Sequence, residues 1–124
     1  FPTPEEAEAF LGEWQGEMWM HPDEPRRSAI LRLEVRDGRV VAELEQLDAP
    51  PEFRSTRLQY LKVTPAGLAF GFLNGMRPRG VIVHEGVLQG DTLAGTTRWG
   101  GISFRYPEGM QPPEPGFEFV RVRR

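Results

Sequence analysis

From Gly12 onward the apolar residues of this chain recur at every second position, and turn signals interrupt the pattern about every ten residues. A repeat of two gathers apolar side chains on one face of a strand but scatters them around a helix, so the pattern commits the chain to β-sheet. The clearest run is "AILRLEVRDGRVVAELEQL", where Ala29, Leu31, Leu33 and Val35 alternate with Arg32, Glu34 and Arg36. Asp37 and Gly38 supply a two-residue hairpin turn, after which Val40, Ala42 and Leu44 face inward and Val41, Glu43 and Glu45 outward. The same reading predicts strands at 56–63, 67–73, 80–88, 92–99, 102–106 and 117–122, which with the strand starting at Gly12 makes eight or nine.

Most connections are short, "PAG" at 65–67, "QGD" at 89–91 and "GG" at 100–101. Short links join neighbouring antiparallel strands, and a meander of this many strands removes its exposed edges by closing on itself. The expected fold is therefore all-β, an antiparallel up-and-down β-barrel of eight or nine strands. One helical element precedes it, "TPEEAEAFLG", with Thr3 as N-cap, Pro4 in the first turn, and Glu5 and Glu6 where the helix dipole favours negative charge. This short N-terminal helix, residues 4–11, is expected to close one end of the barrel. Proline-rich segments at 21–27, 47–53 and 107–116 belong at the barrel ends, and no linker or repeat divides residues 1–124 into more than one domain.

A chain of 124 residues buries enough surface to need neither disulfide nor metal. It has no cysteine, which removes disulfides, thiolate metal sites and cysteine nucleophiles and leaves localisation open between export and cytoplasm. The net charge of −3 is spread along the sequence, so no basic face for nucleic acid is expected, and no apolar run is long enough for a membrane span. Phe1 in place of a methionine fits a processed chain or one taken from a longer sequence.

The stretch "FLGEWQGEMW" sets Gly12, Trp14, Gly16, Met18 and Met20 on one face and Glu13, Gln15, Glu17 and Trp19 on the other. Glycine allows close backbone approach and tryptophan fills the wide end of a barrel. A short helix, a Gly-x-Trp on the first strand and an arginine on the last resemble the lipocalin or calycin barrels. The matching residues are Gly12, Trp14 and Arg121, which shares a face with Phe117 and Phe119; Arg123 is the alternative. Cation–π stacking of arginine on tryptophan would close the barrel floor. The likeness extends to a lipocalin-like domain of bacteria associated with secreted serine hydrolases of the α/β class, through "FLGEWQG", "VRDGRVVAEL", "HEGVLQGDTLAGT" and "WGGISF". That resemblance implies a non-catalytic barrel and carries no catalytic residue across; no cofactor or metal is expected.

Chemistry would most naturally involve the two histidines. His21, with Asp23 and Glu24, lies in a proline-rich turn that reads as solvated surface. His84 and Glu85 are adjacent on a strand, so one faces in and the other out. An inward His84 could hydrogen-bond a ligand, act as a base, ligate haem iron or simply be a satisfied core residue. The "HEG" fragment and the opening tryptophan–glycine pattern also resemble small haem-holding barrels of the nitrobindin type. No nucleophile elbow or phosphate loop is present, and "GFLNGMRPRG" reads as a hairpin whose Arg77 and Arg79 could meet an anionic head group.

Inner-face residues offer walls for an apolar cavity: Met18, Met20, Leu31, Leu33, Leu44, Leu58, Phe70 and Phe72, besides His84. The same residues could fill the interior completely. Gly71, Gly86 and Gly95 within strands tip the reading toward a cavity. The favoured function is non-catalytic binding of a small apolar or amphipathic molecule. A packed barrel serving as an interaction module, for a homodimer or an attached hydrolase and with Trp19 and Val41 on its outer face, is the second reading. A cyclase or isomerase using His84 and Glu85, or a haem binder using His84, is the third.

Overall fold

The Asp37–Gly38 pair has backbone φ values of +52° and +76°. Those left-handed values at both central positions are what a type I′ hairpin turn requires, so this dipeptide sets the register of the strands around it. The computed structural model describes residues 1–19, 23, 25–51, 54–74, 80–100 and 114–123. Nine strands lie among them: β1 (Gly12–Trp19), β2 (Arg27–Arg36), β3 (Arg39–Gln46), β4 (Ser55–Arg57), β5 (Tyr60–Val63), β6 (Gly67–Asn74), β7 (Gly80–Gln89), β8 (Thr92–Gly100) and β9 (Gly116–Arg121).

All pairings are antiparallel, in the order β4-β3-β2-β1-β9-β8-β7-β6-β5, and the sheet curls into a half-barrel. Each strand pairs with its neighbour in sequence, apart from β4 and β5, the two edges, and β8 pairs directly with β9. The predicted segment 102–106 lies outside the described residues. The single strand expected over 56–63 is split in two. At the split the Leu58 N–H donates to the Ala42 carbonyl of β3 at 2.9 Å and the Gln59 N–H to the Gly71 carbonyl of β6 at 3.0 Å. The chain bends there because it leaves one pairing partner for another, and one two-residue step joins both edges of the sheet.

The N-terminal segment departs from the expected helix over 4–11. Thr3 and Glu6 do exchange reciprocal backbone-to-side-chain hydrogen bonds of 3.2 Å, the capping box that starts a helix. The Ala7 N–H donates to the Thr3 carbonyl at 3.0 Å, but from there the bonds shorten to three-residue spacing, and only Glu8–Phe10 forms a 3-10 turn. That tighter pitch stacks Ala7 and Phe10 on one side, where both are buried. The following carbonyls are taken by side chains of the sheet: Trp14 Nε1 donates to Phe10 O at 3.0 Å, and Arg121 donates to Ala9 O at 2.5 Å and Leu11 O at 3.5 Å. These cross-links tie the end of the turn to the sheet and lead the chain into β1.

Trp14 and Arg121 are direct cross-strand partners, with the guanidinium carbon 4.3 Å from the indole centroid. Arg123 instead makes a forked hydrogen-bond pair with Asp91, whose carboxyl it holds below the usual carboxylate range. Above Trp14 the interior is a column of fully buried rings: Phe117 is 5.3 Å from Phe119 and 5.4 Å from Phe70, centroid to centroid. Leu31, Leu33, Leu44, Leu58 and Leu93 pack around them. Val35 follows the inward alternation of β2 yet is 44 % exposed, although its cross-strand partner Val40 is buried.

The in-strand glycines do not open a cavity. A Cβ on Gly71 would overlap the Ile82 carbonyl, and one on Gly95 the Glu85 carbonyl, while at Gly86 it would lie 2.8 Å from Leu93 Cδ1 and 3.0 Å from Phe117 Cζ. These residues are small because the space is already taken. Gly95→Ala is therefore expected to destabilise the fold by about 1–3 kcal/mol, read as a lowered urea midpoint; an unchanged midpoint would refute the close approach. Arg121→Met removes the stacking and the carbonyl contacts together and is expected to cost about 2 kcal/mol, with less than half of that loss in a Trp14→Leu background.

Candidate functional site

β7 reads "GVIVHEGVLQ", with apolar residues on both parities, so the alternation alone leaves its facing open. In the structure His84 turns inward, 3 % exposed, as the one buried polar side chain among the described residues. Glu85 turns outward and pairs with Arg98. The two residues lie on opposite faces, and an acid–base pair of His84 with Glu85 does not form.

The register explains the surroundings of His84. Its cross-strand partners are Phe70 on β6 and Thr97 on β8. The imidazole centroid lies 4.9 Å from Phe70, 6.3 Å from Phe72 and 5.8 Å from Phe117, the last in an edge-on arrangement. Nδ1 and Thr97 Oγ1 are 2.6 Å apart, a hydrogen bond that fixes the ring. Nε2 is buried and has no hydrogen-bond partner among the described residues. Buried polar atoms are nearly always partnered, so an orphan nitrogen marks either an energetic cost or a place for a ligand.

His84 forms part of the wall of a cavity of about 200 Å3. Met18, Ala29, Phe72 and Ile82 supply apolar wall, and Ser28, Gln46 and Thr97 add polar groups. Every lining strand contributes the same end: the close of β1, β3, β6 and β8 and the start of β2, β7 and β9. The Trp14–Arg121 contact lies at the other end. The strand connections differ accordingly, since 37–38, 64–66 and 90–91 join strands at the Trp14 end, and the longer 20–26, 47–54, 75–79 and 101–115 join them at the cavity end.

Of the residues expected to line a cavity, the structure brings Met18, Phe72 and His84 together. Leu31, Leu33, Leu44, Leu58 and Phe70 lie in the packed core instead. Met20, His21, Glu24, Arg77 and Arg79 lie outside the described residues. Gly12 has φ of +116° with open space around its α-carbon, so it shapes the entry to β1, and the close approach belongs to Gly16, whose Cβ would overlap Glu118 O.

Sequence reasoning did not anticipate Thr97, Ile82 or Ala29 as lining residues, because alternation gives the face of a residue and not its depth. Trp19 and Val41 are half-buried rather than exposed. Trp19 covers Gly116, with the Arg26 guanidinium carbon 4.2 Å from its ring centroid, and contributes to the cavity wall.

Among the described residues no group of three His, Asp or Glu side chains could hold a metal ion, and no helix is long and apolar enough to cross a membrane. The described lining surrounds about 200 Å3, less than a porphyrin of four pyrrole rings occupies. Comparisons with protein-family models, with curated proteins and with solved structures returned no match.

Loss of solvent pushes the His84 pKa from 6.5 down to about 4, so the ring is neutral at pH 7. The unfolded chain takes up this proton below 6.5 and the folded chain only below about 4. The stability held by the neutral ring is thus complete above pH 6.5 and is lost as pH falls through that window. The loss amounts to roughly 3 kcal/mol, at about 1.4 kcal/mol per pH unit. Urea unfolding at pH 7 and pH 4.5 should show a steeper decline for the native sequence than for His84→Leu. Equal declines in the two proteins would count against a buried neutral imidazole.

Proposed function

We propose that this protein is a non-catalytic, lipocalin-like barrel that holds a small apolar or amphipathic molecule in the cavity beside His84. The observation that carries this reading is the unpartnered Nε2 of a buried imidazole in the wall of a largely apolar cavity. The split strand, which brings both sheet edges to one two-residue step, and the Trp14–Arg121 stack support the closed, lipocalin-like form of the barrel. Glu85 turns outward to Arg98, so it does not join His84 at the cavity.

The volume narrows the occupant. About 200 Å3 exceeds the roughly 150 Å3 that takes a benzene ring in an apolar protein cavity and falls short of the ~300–1,000 Å3 of drug-sized sites. Binding would draw on buried apolar surface, about 25 cal/mol per Å2 before the costs of association.

Toluene is a suitable probe, followed by backbone-amide NMR. The expected result is saturable shifts confined to the neighbourhood of Met18, Ala29, Phe72, Ile82 and Thr97. Ala29→Leu, which fills the cavity from β2, should weaken the response by about ten-fold or more while the rest of the spectrum keeps its dispersion. Absence of shifts, or shifts centred on exposed Val87 and Val120, would overturn the reading.

A further inference from the structure

Resting on that reading, we propose that the molecule held beside His84 is a neutral, single-ring compound bearing a hydroxyl group, of the phenol or ring-alcohol class, and that it enters hydroxyl first to hydrogen-bond Nε2. Four features of the site converge on this class.

The first is the division of labour on the imidazole. Thr97 Oγ1 engages Nδ1 at 2.6 Å, which leaves Nε2 as the one ring atom available to a ligand. A threonine hydroxyl can donate to Nδ1 or accept from it, and Nε2 is correspondingly an N–H or a lone pair. A hydroxyl on the ligand satisfies either form, whereas an ether or a ketone satisfies only the N–H form.

The second is the company of His84. Phe72, whose ring centroid lies 6.3 Å from the imidazole, lines the cavity with it, so a planar ring arriving there meets an aromatic wall. The third is size: about 200 Å3 suits one six-membered ring with small substituents and not a fatty chain or a fused polycycle.

The fourth is charge. Among the described residues Arg27 is the only charged side chain in the lining, and it is exposed as the first residue of β2. Met18, Ala29, Phe72 and Ile82 offer nothing to balance an anion at depth. The neutral state of His84 at pH 7 is consistent with this, since no imidazolium is present to meet a carboxylate. Nε2 is itself screened from solvent, so a ligand reaches it as the wall yields, and the unbranched Met18 is the lining side chain best able to yield.

Three probes of similar size separate the possibilities by NMR titration: p-cresol, toluene and benzoate. p-Cresol is expected to bind at least about ten-fold more tightly than either of the others, and that preference should collapse toward unity in His84→Phe while toluene binding persists. In the unmutated protein the 15N resonance of His84 Nε2 should move with p-cresol and stay in place with toluene, a readout that does not depend on the folding of any variant. Equal binding of p-cresol and toluene, with no movement of Nε2, would overturn the hydroxyl assignment and leave the apolar cavity standing. Tightest binding of benzoate would overturn the neutral class. Failure of all three probes to bind would remove the cavity reading along with this one.

Discussion

The pairing of β1 with β9 brings together the two ends of the chain, Trp14 opposite Arg121, and the Arg121 guanidinium over Trp14 secures it. Joining segments so distant costs chain entropy that no local contact offsets. Arg121 concentrates the return in one side chain: stacking on Trp14, hydrogen bonds to the Ala9 and Leu11 carbonyls, and an ion pair with Asp91 at 3.4 Å. The first turn, the first strand, the β7–β8 turn and the last strand all meet there. The ring column and the cavity above it depend on this join, because Phe117 and Phe119 come from β9 while Met18 comes from β1.

Within that frame His84 occupies an uncommon position. It replaces an apolar side chain in an otherwise aromatic layer, with Phe70 and Phe117 on its flanks. A phenylalanine would fill comparable space with no polar atom to satisfy. Thr97 answers half of the polarity by engaging Nδ1, and the other half is turned to the end of the barrel that holds the cavity. Packed interior and cavity are thus successive layers along one axis, the tightly packed rings ending where His84 begins.

Much of this was legible in the residues. The alternation of 29–36 and 40–44, the Asp37–Gly38 turn and the meander order all follow from a repeat of two interrupted by turn chemistry. The limits have physical causes. The capping box of Thr3 and Glu6 was a true helix signal, but past Ala7 the chain takes the tighter three-residue pitch that buries Ala7 and Phe10 together, a tertiary demand the local signal does not carry. Gly71, Gly86 and Gly95 look in sequence like missing volume, and only the pairing shows that neighbouring carbonyls and the Leu93 and Phe117 side chains occupy it. Leu31 and Phe72 carry the same inward signature, yet one lies in the core and the other at the cavity, because depth along the barrel is set by register between distant strands. His84 and Glu85 could not be oriented from β7 because valines occupy its outer face and leave the strand apolar on both sides.

The tight turns at the Trp14 end give the molecule a half whose geometry is fixed. Turns such as Asp37–Gly38 are bound to their geometry, and a single added residue there would shift register across two strands. A fault at that end would therefore be felt at the other, since the residues facing the cavity keep their places only while the strands leading to it hold register.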